Sequence, residues 1–287
     1  MEHAILISML PIFAQLGTFY LYTYGVFLML GFFWACFFMW KHIRISKFPE
    51  DMSFDIAFAS FGGALVVGRI VYGMFHFSEF GFNIMKYILV NGYPGISSAG
   101  MIVGGVGAMY FMTQKNKIKF AEFSDYIAPS LFIFAFSAAV GAFVAGIEPG
   151  SMNPYFRHPV ALYKAALLGL GAYLSIRMFY DVRKEKIEKG VLLFFFLGLF
   201  SFVTIVFSSL RDKRVLLTES AGEWYLILTL LLTSAFYFVY YFRVLLFTSS
   251  KSFINSIRTN VKQTFKNISR KTKNSDRGGA EKTPHTD

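Results

Sequence analysis

Charge and cysteine are what this sequence has least of. Only 16% of its 287 residues are Asp, Glu, Lys or Arg, against roughly 25% in soluble domains, and 55% are hydrophobic. One ordinary soluble core does not absorb that much apolar surface. Cys36 is the single cysteine, so no internal disulfide forms. The 36 phenylalanines exclude a disordered, collagen-like or disulfide-scaffold chain. Five scattered histidines and one cysteine supply no cluster with metal-ligand spacing, so neither a metal nor another cofactor is expected. The G-x-x-x-x-G-K-[ST], H-E-x-x-H and G-x-S-x-G patterns are absent. So is any internal repeat of the kind inverted-repeat transporters carry.

What is there is a set of long apolar runs. A spanning helix needs about 20 mostly apolar residues. Seven segments qualify: 19–40, 54–75, 96–112, 123–147, 159–179, 191–210 and 224–246. The fold class expected is therefore all-α, a polytopic membrane protein of about seven transmembrane helices. With the N-terminus outside, 21 of the 28 Lys and Arg fall in inside segments, six in outside segments and Arg69 within a span. Without the ten from Arg243 to Lys282, 11 remain against six. Positive charge collects on the cytoplasmic side, so the orientation predicted is N-out, C-in.

Three regions flank or interrupt the spans. Residues 1–18 read as an extracytoplasmic or interfacial segment, because no basic stretch precedes Ala4–Leu10 and no small-residue cleavage site follows. Residues 19–248 form the membrane domain, in which 76–95, aromatic and nearly uncharged, read as an extracytoplasmic arm. Residues 249–287 form a basic tail. Ile254, Ile257, Val261, Phe265 and Ile268 recur at helical spacing among Lys262, Lys266, Arg270 and Lys271, which predicts an amphipathic helix on inner-leaflet lipid and then a disordered end. Nucleic acid is not expected as a partner, because topology accounts for most of the +11 net charge.

Ionisable residues inside spans are costly and point to function. Arg69, in Gly68-Arg69-Ile70-Val71-Tyr72, needs an anion such as a carboxylate or lipid phosphate, or else it snorkels to the outer interface. Asp55 and Asp125 open their spans and read first as helix caps. His158, in Arg157-His158-Pro159, reads as a general base or as a polar helix-start residue. Tyr24 and Tyr72 serve either as hydrogen-bond partners of a phosphate or glycerol hydroxyl or as interfacial belt residues. From Ser130 to Ile147 only two serines are polar. The pairs Ala135/Ala139, Ala138/Ala142 and Gly141/Ala145 have the spacing for close helix approach.

Five stretches, in order, resemble the bacterial prolipoprotein diacylglyceryl transferases. Tyr24-Gly25 looks like the family's Tyr-Gly, and Gly68-Arg69-Ile70-Val71-Tyr72 is similar to G-R-[IL]-x-Y. Gly95-Ile96-Ser97-Ser98-Ala99-Gly100 resembles G-[LIM]-S-x-H-G, and Asp125-Tyr126-Ile127-Ala128-Pro129 resembles D-x-[IL]-A-P. Arg157-His158-Pro159 with Leu162-Tyr163 resembles R-H-P-x-x-L-Y. The resemblance covers roughly Tyr22 to Arg211.

The resemblance implies an activity in the bacterial cytoplasmic (inner) membrane. A diacylglyceryl group passes from phosphatidylglycerol to the lipobox cysteine of a prolipoprotein, glycerol phosphate leaves and a thioether forms. It implies His158 and Tyr24 as catalytic candidates, and Arg69, Tyr72, Arg211 and Glu148 as phospholipid-binding ones. The polar pattern departs elsewhere. The His of the third stretch falls at Ala99. The Arg, two Asn and Glu of the signature R-x-G-N-F-x-N-G-E fall at Ala139, Ala142, Ala145 and Ile147. The Ser-Gln of the fifth stretch falls at Val160-Ala161, and the Glu after it at Lys164. The Tyr, Arg and Glu of the sixth span fall at Phe200, Thr204 and Ser208. The alternative expectation is a catalytically silent relative that binds phospholipid, lipoprotein precursor or a membrane partner.

Overall fold

Hydrocarbon gives backbone N–H and C=O groups no partner but each other, so long apolar runs become helices. The computed structural model describes residues 10–16, 19–88, 95–148, 150–151, 158–210 and 222–243. Its long helices are α1 (Thr23–Ile43), α2 (Glu50–Phe75), α5 (Ser98–Lys115), α6 (Phe120–Ala145), α7 (Val160–Arg183), α8 (Val191–Ser208) and α9 (Gly222–Arg243). Each of the seven apolar segments overlaps one of these helices. Six of the seven are long and apolar enough to cross a membrane; α5 falls short of them in apolar character because of its glycines and polar end. The chain is an all-α polytopic membrane protein.

Helix ends differ from the apolar runs by a few residues. The first helix starts at Thr23, not at residue 19, because Phe19–Tyr22 forms strand β2. It pairs antiparallel with β1 (Ile12–Leu16), Gln15 opposite Tyr20. The second helix starts four residues before the expected boundary, with Glu50 and Asp51 in its first turn, where carboxylates favour the helix dipole. Asp55 consequently lies inside α2 and does not cap it. The expected arm contains two short helices, α3 (Phe77–Phe80) and α4 (Ile84–Ile88). The basic tail, residues 1–9, Arg157 and Arg211 lie outside the described residues.

Three of the four α5 glycines, Gly100, Gly104 and Gly105, face α2 at close range. A Cβ at Gly63 would lie 2.6 Å from the Ala108 Cβ, and one at Gly100 would lie 3.0 Å from the Gly68 Cα. Two helices this close gain dispersion contacts that lipid tails do not offer. At the centre stands α6, most of whose residues are buried, including Phe123, Phe132 and Asp125.

Asp125 does cap a helix, but not its own. Its Oδ2 accepts from the Gly190 N–H at 2.6 Å and its Oδ1 from the Leu192 N–H at 3.0 Å, both at the start of α8. These are donors an α-helix leaves unpaired. Gly190 has φ 99°, a left-handed conformation that favours glycine. One turn earlier, Glu122 pairs with Lys47 at 2.9 Å and Lys189 at 3.4 Å. The start of α6 thus anchors two neighbouring connections.

Contacts between residues divide the chain into Met1–Ala235 and Phe236–Asp287. The site below lies wholly in the first unit. In the second, Tyr237 stacks on Tyr241 with ring centroids 6.5 Å apart.

Candidate functional site

Helix α6 presents small residues in two directions. Toward α1, Gly141 meets Phe27, and the Ser137 hydroxyl donates to the Phe27 carbonyl at 2.8 Å. In the other direction, Ala135, Ala138, Ala139, Ala142 and Ala145 line a cavity of about 1170 Å³ that α1 also borders. The small residues therefore do more than allow close packing; they leave room. The volume exceeds the roughly 300–1,000 Å³ of small-molecule sites. Leu28 and Phe32 of α1, Met101 of α5, Phe196 of α8 and Ile227 of α9 add apolar walls.

The cavity's charged groups come from helix ends that the structure ties together. Lys164, in the second turn of α7, places its Nζ 2.9 Å from Glu148 Oε1 and 2.8 Å from Oε2. The side chains are only 11% and 17% exposed. Desolvating each ion costs several kcal/mol, recovered only by close pairing. Tyr24, at the start of α1, lies within electrostatic reach of Glu148 and also lines the cavity. Glu223, at the start of α9, accepts at Oε1 from the Ser98 N–H at 2.9 Å and from the Ser97 and Ser98 hydroxyls at 3.1 and 3.2 Å. The β1–β2 hairpin reaches the same end: Leu10 N–H donates to the Val144 carbonyl at 3.0 Å, and the Thr23 hydroxyl donates to Leu10.

Arg69 lies elsewhere. It is buried, 6% exposed. Its Nε donates to the Tyr87 carbonyl at 3.0 Å, Nη1 to Gly95 at 2.5 Å and Nη2 to Lys86 at 2.8 Å, while the guanidinium sits 4.9 Å over the Phe80 ring. Tyr72 packs on Gly95, where a Cβ would collide with its ring, and stacks on His76 with centroids 4.1 Å apart. Both residues hold the arm against α2. Neither lines the cavity, although Gly95 and Ile96 do.

His158 is also not among the lining residues. Its N–H donates to the Ser151 carbonyl at 3.3 Å, and its ring lies 6.4 Å from that of Tyr163. Of the six candidate site residues, the structure brings Tyr24 and Glu148 together at the cavity. It sets Arg69 and Tyr72 at the arm and His158 at the start of α7. Sequence reasoning missed Lys164 and Glu223. The signal for both was a charge within two turns of a span's start.

Eight of the eleven departures from the family pattern meet at this cavity, and Ala99, Val160 and Ala161 do not line it. Ala139, Ala142, Ala145, Ile147, Lys164, Phe200, Thr204 and Ser208 all line it. Residues scattered over 70 positions thus meet in one place. Ala99 is fully buried beside it.

The family profile described as prolipoprotein diacylglyceryl transferase matches residues 11–240. The chain is 29% identical over 227 residues to the phosphatidylglycerol–prolipoprotein diacylglyceryl transferase of Pseudoalteromonas atlantica, covering 74% of this chain and 79% of that one. It is 28% identical over 213 residues to that of Photobacterium profundum, covering 68% and 78%. Against that of Clostridium kluyveri, identity is 22% over 223 residues, covering 72% and 87%. The matched residues run from the hairpin through the cavity into α9, and the chain belongs to the prolipoprotein diacylglyceryl transferase family.

Proposed function

We propose that the protein binds a phospholipid in the α6 cavity and acts on it as a phosphatidylglycerol–prolipoprotein diacylglyceryl transferase of the bacterial cytoplasmic membrane. The observation that carries this reading is the cavity itself. It is large, apolar along its walls and polar at one end, as a diacyl chain pair with a head group requires. In the reaction, the sulfur of a lipobox cysteine attacks the glycerol carbon that bears the phosphate. The S–C bond forms, the C–O bond breaks, and glycerol phosphate leaves with the electron pair. The thiol proton passes to a base, a role for which Glu148, a carboxylate lining the cavity, is the candidate. Arg69 and Tyr72 act at one remove, by holding the arm whose Gly95 forms part of the cavity wall. With the N-out orientation that the charge distribution predicts, that end faces the outer side, where a secreted precursor arrives.

A second reading rests on a specific observation. Where the family pattern is polar, the walls here are Ala139, Ala142, Ala145, Ile147 and Phe200. Loss of one electrostatic stabiliser can cost about 10²–10³ in rate. A silent relative that binds phospholipid, lipoprotein precursor or a membrane partner without turnover fits these walls. One assay separates the readings: purified protein in nanodiscs with phosphatidylglycerol and a lipobox peptide, followed by mass spectrometry. Peptide gaining one diacylglyceryl group establishes the transferase. Bound lipid without product, beside an active relative, establishes the silent binder.

A further inference from the structure

We infer that Lys164 is the cation that receives the lipid phosphate, and that an entering phospholipid opens the Lys164–Glu148 pair. The inference rests on the lipid-binding reading above and names the atom that reading leaves unassigned.

Three observations lead there. First, Arg69 donates to the carbonyls of Lys86, Tyr87 and Gly95 at the arm and is not among the residues that line the cavity. Second, among the described residues that line the cavity, Lys164 is the only basic one. Third, the Lys164 ammonium already holds an anion there, the Glu148 carboxylate, at 2.8 and 2.9 Å. A phosphodiester replacing that carboxylate exchanges one anion for another at the same cation. The ammonium is already desolvated, so lipid entry does not incur that cost again. Charge-assisted contacts of this kind are short and strong where water is excluded. The carboxylate released from Lys164 stays in the same cavity, whose wall Tyr24 shares.

The alternative is a staple: the pair merely fastens the end of α6 to the start of α7. The two roles predict opposite signs. If Lys164 binds phosphate, Glu148 competes with the lipid for it. Lys164→Met then weakens binding, and Glu148→Gln strengthens it. If the pair is a staple, both variants break it and both move binding the same way.

The experiment uses the full-length protein in nanodiscs and native mass spectrometry of retained lipid. The probes are phosphatidylglycerol, diacylglycerol of the same chains, and free glycerol phosphate. For Lys164→Met, phosphatidylglycerol binding should fall at least about tenfold, from the loss of one charged hydrogen bond, while diacylglycerol binding holds. Lys164→Arg should stay near wild type, and Glu148→Gln should bind phosphatidylglycerol several-fold tighter. Parallel losses in Lys164→Met and Glu148→Gln, or a Lys164→Met loss equal for both lipids, overturn the assignment and leave the lipid reading standing. Failure of the unmodified protein to retain either lipid overturns both. Lys164-dependent binding of glycerol phosphate without lipid overturns the lipid ligand and makes this a site for soluble phosphate.

Discussion

Arg69 Nη1 donates to the carbonyl oxygen of Gly95 at 2.5 Å, across 26 residues of sequence. The same guanidinium bonds Lys86 and Tyr87, so one planar fork fastens the end of α4 and the start of the α5 connection to α2. A lysine has a point charge in place of the fork and reaches fewer of the three carbonyls. Arg69→Lys and Arg69→Met should both loosen the arm, the second more. Hydrogen–deuterium exchange over residues 77–88 should rise by at least tenfold in Arg69→Met, as expected for about 1–3 kcal/mol lost per stranded buried group. Unchanged exchange would remove this role from Arg69.

Gly95 is the other half of that contact. Its φ is 140°, and a Cβ there would strike the Tyr72 ring. Gly95→Ala therefore meets both backbone strain and a steric clash. The expected result is lower melting temperature in detergent and raised exchange over the arm. Tyr72→Ala in the same background should restore part of the loss by removing the clash. A Gly95→Ala protein as stable as wild type contradicts this geometry.

Asp125 links two helices through its carboxylate, accepting from Gly190 and Leu192 while only 1% exposed. Asn can accept at one oxygen only, so Asp125→Asn leaves one N–H of the α8 start without its acceptor. A cost of about 1–3 kcal/mol is expected, and somewhat more for Asp125→Ala, which strands both. Thermal unfolding of the detergent-solubilised protein measures it. Lipid binding per folded molecule should not change, because Asp125 is not among the cavity's lining residues.

The apolar runs made most of the fold legible, since a stretch that tolerates hydrocarbon must be helical. Helix ends were less legible, because caps and neighbours set them. Phe19–Tyr22 is apolar enough for a span yet forms a strand, and a run of four residues carries no periodicity to tell the two apart. Asp125 was recognised as a cap, but the helix it serves lies 65 residues away. Tyr24 and Glu148 were picked out, and both line the cavity. Arg69 was picked out for an anion, whereas its recorded acceptors are backbone carbonyls, which every residue carries and no sequence motif reveals. Lys164 reads as one more outside charge until its partner Glu148 is seen beside it.

Gly141 and Ala142 are adjacent on α6 and face different surroundings, so the same kind of substitution should have opposite effects. A Cβ at Gly141 collides with Phe27 of α1. Gly141→Ala should thus force the two helices apart and destabilise the protein by about 1–3 kcal/mol. Ala142 lines the cavity, and a larger apolar side chain there extends into open space. Ala142→Leu should leave the melting temperature unchanged or higher, because it fills a void, and should reduce the lipid retained on purification. Melting curves and lipid mass spectrometry on the two variants test this together. Retained lipid that is unchanged in Ala142→Leu would mean that the occupied volume lies away from α6. Loss of stability in both variants would mean that this stretch of α6 serves helix packing alone.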